Sequence, residues 1–428
     1  MSHHFEAVIV GAGQAGLAMS YCLTQAGIRH VVLERHRAGH SWRNERWDSF
    51  CLVTPNWQCR LPGHPYTGDA PEGFMRKYEI VEYLDAYVRN FQPPLREGVS
   101  VERLVQQCAL EGAGFELSTS EGTLTADQVV VATGGYHTPR LPDWADALPR
   151  HIEQVHSRDY KCPESLPEGE VLVVGSGQSG CQIAEDLWRA GRKVHLAVGN
   201  APRCARRHRG KDVVEWLELM GHYDVSLEQH PSPDQVRDKT NHYVTGRDGG
   251  HDIDLRQFAL EGMRLYGSLR GLHGSVLSFA PDLVHHLDAA DAVYVSINRS
   301  IDKYIAERGI AAPETPDYVP PWAPEREALT LDLAASGIRS IVWSIGFSVD
   351  FDWVQLPVFD ARGMPRHRRG VTDVPGLYFL GLPWQHTWGS GRFASVGRDA
   401  EHLCEGLVGK ARGHHPAPVA GGGRSCAA

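Results

Sequence analysis

The chain carries one strand–turn–helix pattern twice, and that duplication narrows the folds open to it. In the first copy the apolar run Val8–Val10 leads into Gly11, Gly13 and Gly16, a G-x-G-x-x-G turn opening a helical stretch that reaches Gly27. Each glycine has its own duty. Gly11 permits the tight turn, Gly13 lets a phosphate approach the backbone, and Gly16 lets helix and strand pack closely. The helix opening there directs its free amides and positive dipole end at a pyrophosphate. The next strand, His-Val-Val-Leu-Glu, ends on Glu34, eighteen residues after Gly16. A carboxylate at that distance hydrogen-bonds the ribose hydroxyls of an adenine dinucleotide. A lone G-x-G-x-x-G is a weak signal; strand before, helix after and acid in place make it specific.

The second copy starts at Val171 and places Gly175, Gly177 and Gly180, with Gln178 and Ser179 between them, 164 residues after the first. Each helix stops at an Ala-Gly pair, Gly27 in one copy and Gly191 in the other. The informative difference follows. Eighteen residues after Gly180 stands Val198 rather than an acid, and Arg203, Arg206, Arg207 and Arg209 come next. Nothing at Val198 repels a 2′-phosphate, so this site is read as taking NADPH rather than NADH. A solvated basic loop is the competing account of the arginines.

At 428 residues the chain has room for two ordinary domains. No run approaches the ~18 consecutive apolar residues of a membrane span. The net charge of −9 argues against nucleic acid or an anionic membrane as partner. Met1 to Phe5 leads straight into a strand, which predicts no signal peptide and a cytoplasmic location. Nine cysteines, irregularly spaced and without C-x-x-C, describe neither a disulfide framework nor a dithiol relay. The histidine pairs lie in dissimilar contexts and no H-E-x-x-H occurs, so no metal site is expected.

From Gly39 to Pro65 the sequence is dense in aromatic and polar residues and should line the pocket at the far end of the first dinucleotide; core packing is the alternative for its tryptophans. Residues 77–90 read as an amphipathic helix. Short strands are expected at Val99–Val101, Leu104–Ala109, Phe115–Ser118 and Gln128–Thr133, returning into a flavin-binding sheet with Thr133 and Gly134 close to the cofactor. Residues 205–335 form a helical insertion with helices at Val213–Met220, Leu255–Arg264 and Leu283–Ile305. The polar, glycine-rich stretch from Thr240 to Gly250 reads as a mobile loop over substrate, and Pro313–Pro324 as a connector. Strands return at Ile341 and Gly376, followed by Trp384, His386 and Trp388, candidate walls of a substrate pocket, and by a helix from about Phe393. That helix would aim its positive end at the pyrimidine edge of a flavin. The tail, 411–428, is rich in Pro, Gly and Ala and expected to be disordered.

With both cradles, the Ala-Thr-Gly strand end, the Ser-Ile-Gly-Phe strand end and the late Leu-Tyr-Phe-Leu-Gly strand in this order, the chain resembles two-dinucleotide-domain flavoproteins. Among them it is similar to the class B flavin-dependent monooxygenases. It resembles most a bacterial group of flavin-dependent oxidoreductases associated with nitrilase gene clusters, notably across Trp47–Gly63. The resemblance spans roughly residues 5–405. It implies an α/β fold with two Rossmann-like domains: an FAD domain at 1–150 and 341–410, with an NADPH domain inserted at 165–340. It places FAD on Gly11, Gly13, Gln14, Gly16, Glu34, Trp42, Thr133, Gly134 and Gly381, and NADPH on Gly175, Gly177, Gln178, Ser179 and Gly180.

Two departures stand out. In the linker fingerprint F-x-G-x-x-x-H-S-x-x-Y, His156, Ser157 and Tyr160 match, but Arg150 and Ile152 occupy the Phe and Gly positions. The Gly-Asp of the late flavin strand is Gly381-Leu382. The implied chemistry is hydride transfer from NADPH to flavin, formation of a C4a-(hydro)peroxyflavin with O2, and transfer of one oxygen atom to a small organic substrate. Asn56 resembles the pocket asparagine of such enzymes; a packed loop amide explains it equally well. The alternatives are an NADPH-dependent flavoprotein reductase without oxygen insertion and a non-catalytic redox-reporting flavoprotein. The sequence names no substrate and leaves the assembly open, a homodimer included.

Overall fold

The computed structural model describes residues 4–107, 114–237 and 241–411. β1 (His4–Val10), α1 (Gln14–Ala26) and β2 (His30–Glu34) open the chain. β1 and β2 pair in parallel with Ala7 opposite His30. Ala7, Val8 and Ile9 are fully buried. The run is apolar on both faces because the sheet is covered on both. α1 ends at Gly27, whose φ of +73° is the left-handed cap that glycine adopts without strain.

α2 (Lys77–Phe91) is the expected amphipathic helix and buries Ile80, Tyr83, Leu84 and Tyr87. β3 (Leu95–Glu97) lies beside β2, while β4 (Val101–Gln106), β5 (Phe115–Thr119) and β6 (Gly122–Val131) form an antiparallel meander whose last strand runs parallel to β1. The two short strands expected at Val99–Val101 and Leu104–Ala109 are thus one strand; Ala109 lies outside the described residues.

The chain leaves this sheet at Thr138–Pro139 and comes back at Phe347–Ser348, and the two crossings pair antiparallel as a two-stranded hinge. Between them stand β7 (Glu153–His156), β8 (Glu170–Val174), α3 (Gln178–Arg189), β9 (Val194–Ala197) and β10 (Arg264–Tyr266). β11 (Leu269–His273) and β12 (Val276–Phe279) precede α4 (Leu283–Arg308), and β13 (Thr330–Asp332) and β14 (Ile338–Trp343) follow it. The second sheet is all parallel in the order β7-β14-β8-β9-β10, so it takes in a strand ahead of residue 165.

The helical insertion holds the expected α4, with Leu283 and Leu287 in the core beside β8 and Ile301 packed with Trp216. It also contributes strands. Leu255–Leu260 is helical, but Gly262, at φ +114°, breaks the run and Arg264 begins β10. The stretch from Asn241 to Gly250 is not a free loop either: Tyr243, Val244 and Thr245 are buried. Thr240 and residues 412–428, the bulk of the expected tail, lie outside the described residues. β15 (Leu377–Phe379) then adds in parallel to β6, and α5 (Val396–Ala411) packs on α1, sharing a core of Leu17, Ala400, Leu403 and Leu407.

One buried carboxylate joins the two sheets. Asp186, on α3, accepts from Ser49 Oγ at 2.6 Å, from the Tyr160 hydroxyl at 2.8 Å and from Arg247 Nη1 at 2.8 Å. Tyr160 and His156 belong to the linker fingerprint, and His156 Nε2 donates to the Gly346 carbonyl, 3.1 Å away, at the returning crossing. Asp186→Asn takes from Arg247 the nearer of its two carboxylates, Asp248 lying 4.0 Å away, and removes the charge from the Tyr160 hydrogen bond, a loss of about 2 kcal/mol. Urea unfolding should show that loss, with Ser49→Ala falling by about 1 kcal/mol; equal stability of Asp186→Asn and the parent would refute the latch.

Candidate active site

The first glycine turn is shaped by close approach. Gly11 adopts φ +103°, donates to the Leu33 carbonyl at 2.8 Å, and a Cβ there would stand 2.7 Å from the Ala132 oxygen. A Cβ on Gly16 would stand 1.8 Å from the Gly11 oxygen. Around Gly13 the reverse holds: a Cβ would meet nothing within 4 Å. Gly13 is also the N-cap of α1 and no side chain caps that end, so the first amides of the helix point into open space. Glu34 is aimed at the same turn, accepting from the amides of Ala12 at 2.8 Å and His36 at 3.0 Å.

The second turn repeats this geometry closely. Gly175 has φ +100° and a Cβ there would lie 2.5 Å from the Ser344 oxygen; at Gly180 it would lie 1.8 Å from the Gly175 oxygen. Gly177 is the N-cap of α3, again without a side-chain cap. Ser179 sits half-buried in the first turn of that helix. Gln178 is spent on structure, its amide donating to the Val244 carbonyl.

Near the first turn Gln14 acts as a clamp. Its Nε2 donates to the Gly391 carbonyl at 2.8 Å and its Oε1 accepts from Trp42 Nε1 at 2.9 Å. Trp42 in turn stacks on Phe393 with ring centres 5.4 Å apart. Gly381, at φ +91°, lets the end of β15 reach α1, since a Cβ there would stand 2.7 Å from that of Ala15. Thr133 lies over the Gly11 turn, and Gly134, at φ +76°, borders open space. The residues expected around the first dinucleotide therefore converge, although they come from both ends of the chain.

Three groups of expected site residues have specific partners in the structure. Asn56 is a loop amide: its Nδ2 donates to the Ala70 carbonyl at 2.9 Å and its Oδ1 accepts from Met75 N at 2.6 Å. It borders a cavity of about 1000 Å³ that also touches Cys51, Phe74 and Arg247, but its amide is engaged with backbone at both ends. Arg203 and Arg206 are not available to a 2′-phosphate. Arg203 is buried, paired with Asp254 at 3.1 Å and Asp291 at 3.0 Å, and sandwiched between Tyr294 and Tyr318. Arg206 bonds Asp212 at 2.6 Å and the Val53 carbonyl at 2.7 Å. Of the three, Arg207 alone is exposed, held by the carbonyls of Gly249 and Gly250.

Trp384, His386 and Trp388 share one loop but do not line the cavity beside Asn56. They meet a segment of the inserted unit instead: Trp384 contacts His230, His386 accepts from Leu227 N at 2.6 Å, and Trp388 lies against Tyr223 at 4.6 Å. Among the described residues no group of His, Cys, Asp or Glu is arranged to hold a metal, and no helix is long and apolar enough to cross a membrane. Burial pushes the Cys51 thiol up to about 11 and the Cys59 thiol up to about 12, so neither is a ready thiolate.

Comparison with known proteins agrees with this arrangement. A protein of Geobacillus kaustophilus named uncharacterized oxidoreductase CzcO-like is 33% identical over 412 residues, covering 95% of this chain and 99% of its own. A rice indole-3-pyruvate monooxygenase, YUCCA1, is 35% identical over 195 residues, 45% of this chain and 48% of its own. A flavin monooxygenase variant from Stenotrophomonas maltophilia superposes with a TM-score of 0.65 at 16% identity, covering 96% of this chain and all of that one. The sequence profile of the pyridine nucleotide-disulphide oxidoreductases matches residues 8–260, and the chain belongs to that family.

Proposed function

We propose that this chain is an FAD- and NADPH-dependent monooxygenase that transfers one atom of O2 to a small organic substrate. The observation that carries the reading is the pair of matched glycine turns, each tight where strand meets helix. Such a turn suits a pyrophosphate because backbone amides, not side chains, meet the charge. FAD is assigned to the first turn, where the space at Gly13 is open and Glu34 stands ready for ribose hydroxyls. NADPH is assigned to the second, with Arg207 as the candidate for its 2′-phosphate. The division into an FAD domain and an inserted NADPH domain belongs to the same proposal.

Bound FAD would supply hydride acceptance and oxygen activation. The chain's own contribution is placement. Gln14 fixes Trp42 against Phe393, a wall that excludes water from one side of the site. Asp186 holds the inserted unit against Ser49, so the two turns keep a fixed relation. Support comes from the flavin monooxygenase fold and from the rice monooxygenase relative. A reductase without oxygen insertion is the second reading, favoured by the family's disulphide oxidoreductases; the buried, high-pKa thiols of Cys51 and Cys59 count against a disulfide version of it. Kinship with nitrilase-cluster oxidoreductases, drawn from Trp47–Gly63, and a cytoplasmic setting are part of the proposal, and size-exclusion chromatography would decide whether a homodimer forms.

The direct test is to reduce the FAD-loaded protein with NADPH without oxygen, admit O2 and follow absorbance by stopped flow. A long-lived band to the blue of oxidised flavin is expected; immediate return to oxidised flavin with peroxide release would favour the reductase. Gly180→Ala should slow NADPH-driven flavin reduction about a hundredfold while flavin stays bound, since the methyl displaces the second helix. Arg207→Gln should raise the KM for NADPH about tenfold with little change for NADH. An equal change for both nucleotides would remove Arg207 from the 2′-phosphate site.

A further inference from the structure

The loop between β15 and α5 begins and ends on the opening turn of α1. Gly381 lies against Ala15, where a Cβ on the glycine would stand 2.7 Å from the alanine's, and the Gly391 carbonyl accepts from Gln14. Residues 381–391 therefore roof the helix end to which the proposed function assigns FAD. Gln385, Thr387 and Ser390 in that roof are buried. Part of their cover comes from the inserted unit. Residues 222–230, which follow the helix Val213–Leu219, cross the roof at four points. Ser226 pairs antiparallel with Thr387, and Leu227 N donates to the His386 carbonyl at 2.6 Å. Tyr223 packs on Trp388 with ring centres 4.6 Å apart, and His230 meets Trp384 edge-on at 5.1 Å.

This crossing segment is lightly held. It has no strand ladder or α-helix of its own, only the 3-10 turns His222–Asp224 and Leu227–Gln229. Tyr223 is its one buried residue. Gly221, at φ +72°, gives it a left-handed joint just after the helix. The charge pairs that flank it, Asp224 with Arg398 at 2.5 Å and Glu218 with Arg60 at 3.0 Å, lie at the surface, where such pairs hold weakly. A segment with so few buried apolar contacts opens locally well before the whole protein unfolds. The roof beneath is poised as well. Trp384, which His230 touches, is held at φ +50°, a left-handed conformation that a bulky residue adopts only when its surroundings impose it. The Ser49–Asp186 contact uses none of these residues, so the crossing segment is a separate fastening. We propose that residues 222–230 are a releasable strap anchored by Tyr223, and that FAD enters and leaves the first turn only when the strap is lifted from the Trp384–Gly391 loop.

The proposal rests on the assignment of FAD to the first turn, and the two are separable because binding of FAD is measured before its exchange. Partner residues of an antiparallel pair stand about 4.5–5.5 Å apart at Cα, a separation that a disulfide spans. In FAD-loaded Ser226→Cys/Thr387→Cys, mild oxidation should close that bond, read as the loss of the two introduced thiols on titration. Exchange of bound FAD against an excess of radiolabelled FAD should then slow about tenfold or more and recover on reduction, while the parent put through the same oxidation keeps its rate. Tyr223→Ala should exchange FAD about tenfold faster, and Tyr223→Phe, which keeps a ring on Trp388, should stay near the parent. Exchange at the parent rate with the disulfide closed overturns the strap, as does a cysteine pair that fails to bond in the folded protein. Unchanged FAD exchange with slowed flavin reduction by NADPH overturns it too, and would make the segment a guard of the nicotinamide. A parent chain that binds no FAD would overturn the cofactor assignment itself, and the strap's role with it.

Discussion

The contact between a helix and the strand before it governs this structure. At Gly16 and at Gly180 a Cβ would lie 1.8 Å from the carbonyl oxygen of the first glycine in its turn, so any side chain would force helix and strand apart. The close approach leaves uncapped amides facing open space at the helix start, and everything assembled around them inherits that position. Glu34 reaches the turn because β2 lies directly beside β1, and Gly381 brings the end of β15 against α1. Glycine here is a steric requirement rather than a flexible link.

The second dependency is the join between the two sheets. The chain crosses twice, at Thr138–Pro139 and Phe347–Ser348, and a short antiparallel pair alone would bend easily. Asp186 accepts from Ser49 across that gap, and from Tyr160 and Arg247 within the inserted unit. Tyr160 and His156 thereby gain a physical role: one fixes the carboxylate and the other holds the returning crossing. The altered residues of the same fingerprint, Arg150 and Ile152, take no part in either contact.

Much of this was legible in the sequence. The glycine spacing, Glu34, the apolar parallel strands and α4 all follow from periodicity and turn chemistry, because each is set by neighbours in the chain. The roles of individual polar side chains were not, because they depend on partners far away. Spacing made Arg203 and Arg206 look free; aspartates up to 88 residues downstream consume them, as in the Arg203–Asp291 pair. Asn56 reads in sequence as either a pocket amide or a packed loop amide, and its bonds to Ala70 and Met75 fit the second. Asp186 reads in sequence as one polar position on a helix, and Gln14 as a residue of the FAD turn; nothing local marks either as a clamp. The strand at Arg264 was hidden by a helical-looking run that Gly262 interrupts.

The central claim is that two nucleotides occupy the two turns and exchange a hydride. The most direct measurement is anaerobic mixing of the FAD-loaded protein with NADPH carrying deuterium at C4 of the nicotinamide, followed by flavin absorbance. The account predicts that the flavin bleaches fully and that the labelled position slows it, because that bond breaks in the step observed. A flavin that stays oxidised, or that bleaches at the same rate whichever C4 hydrogen is labelled, would contradict it.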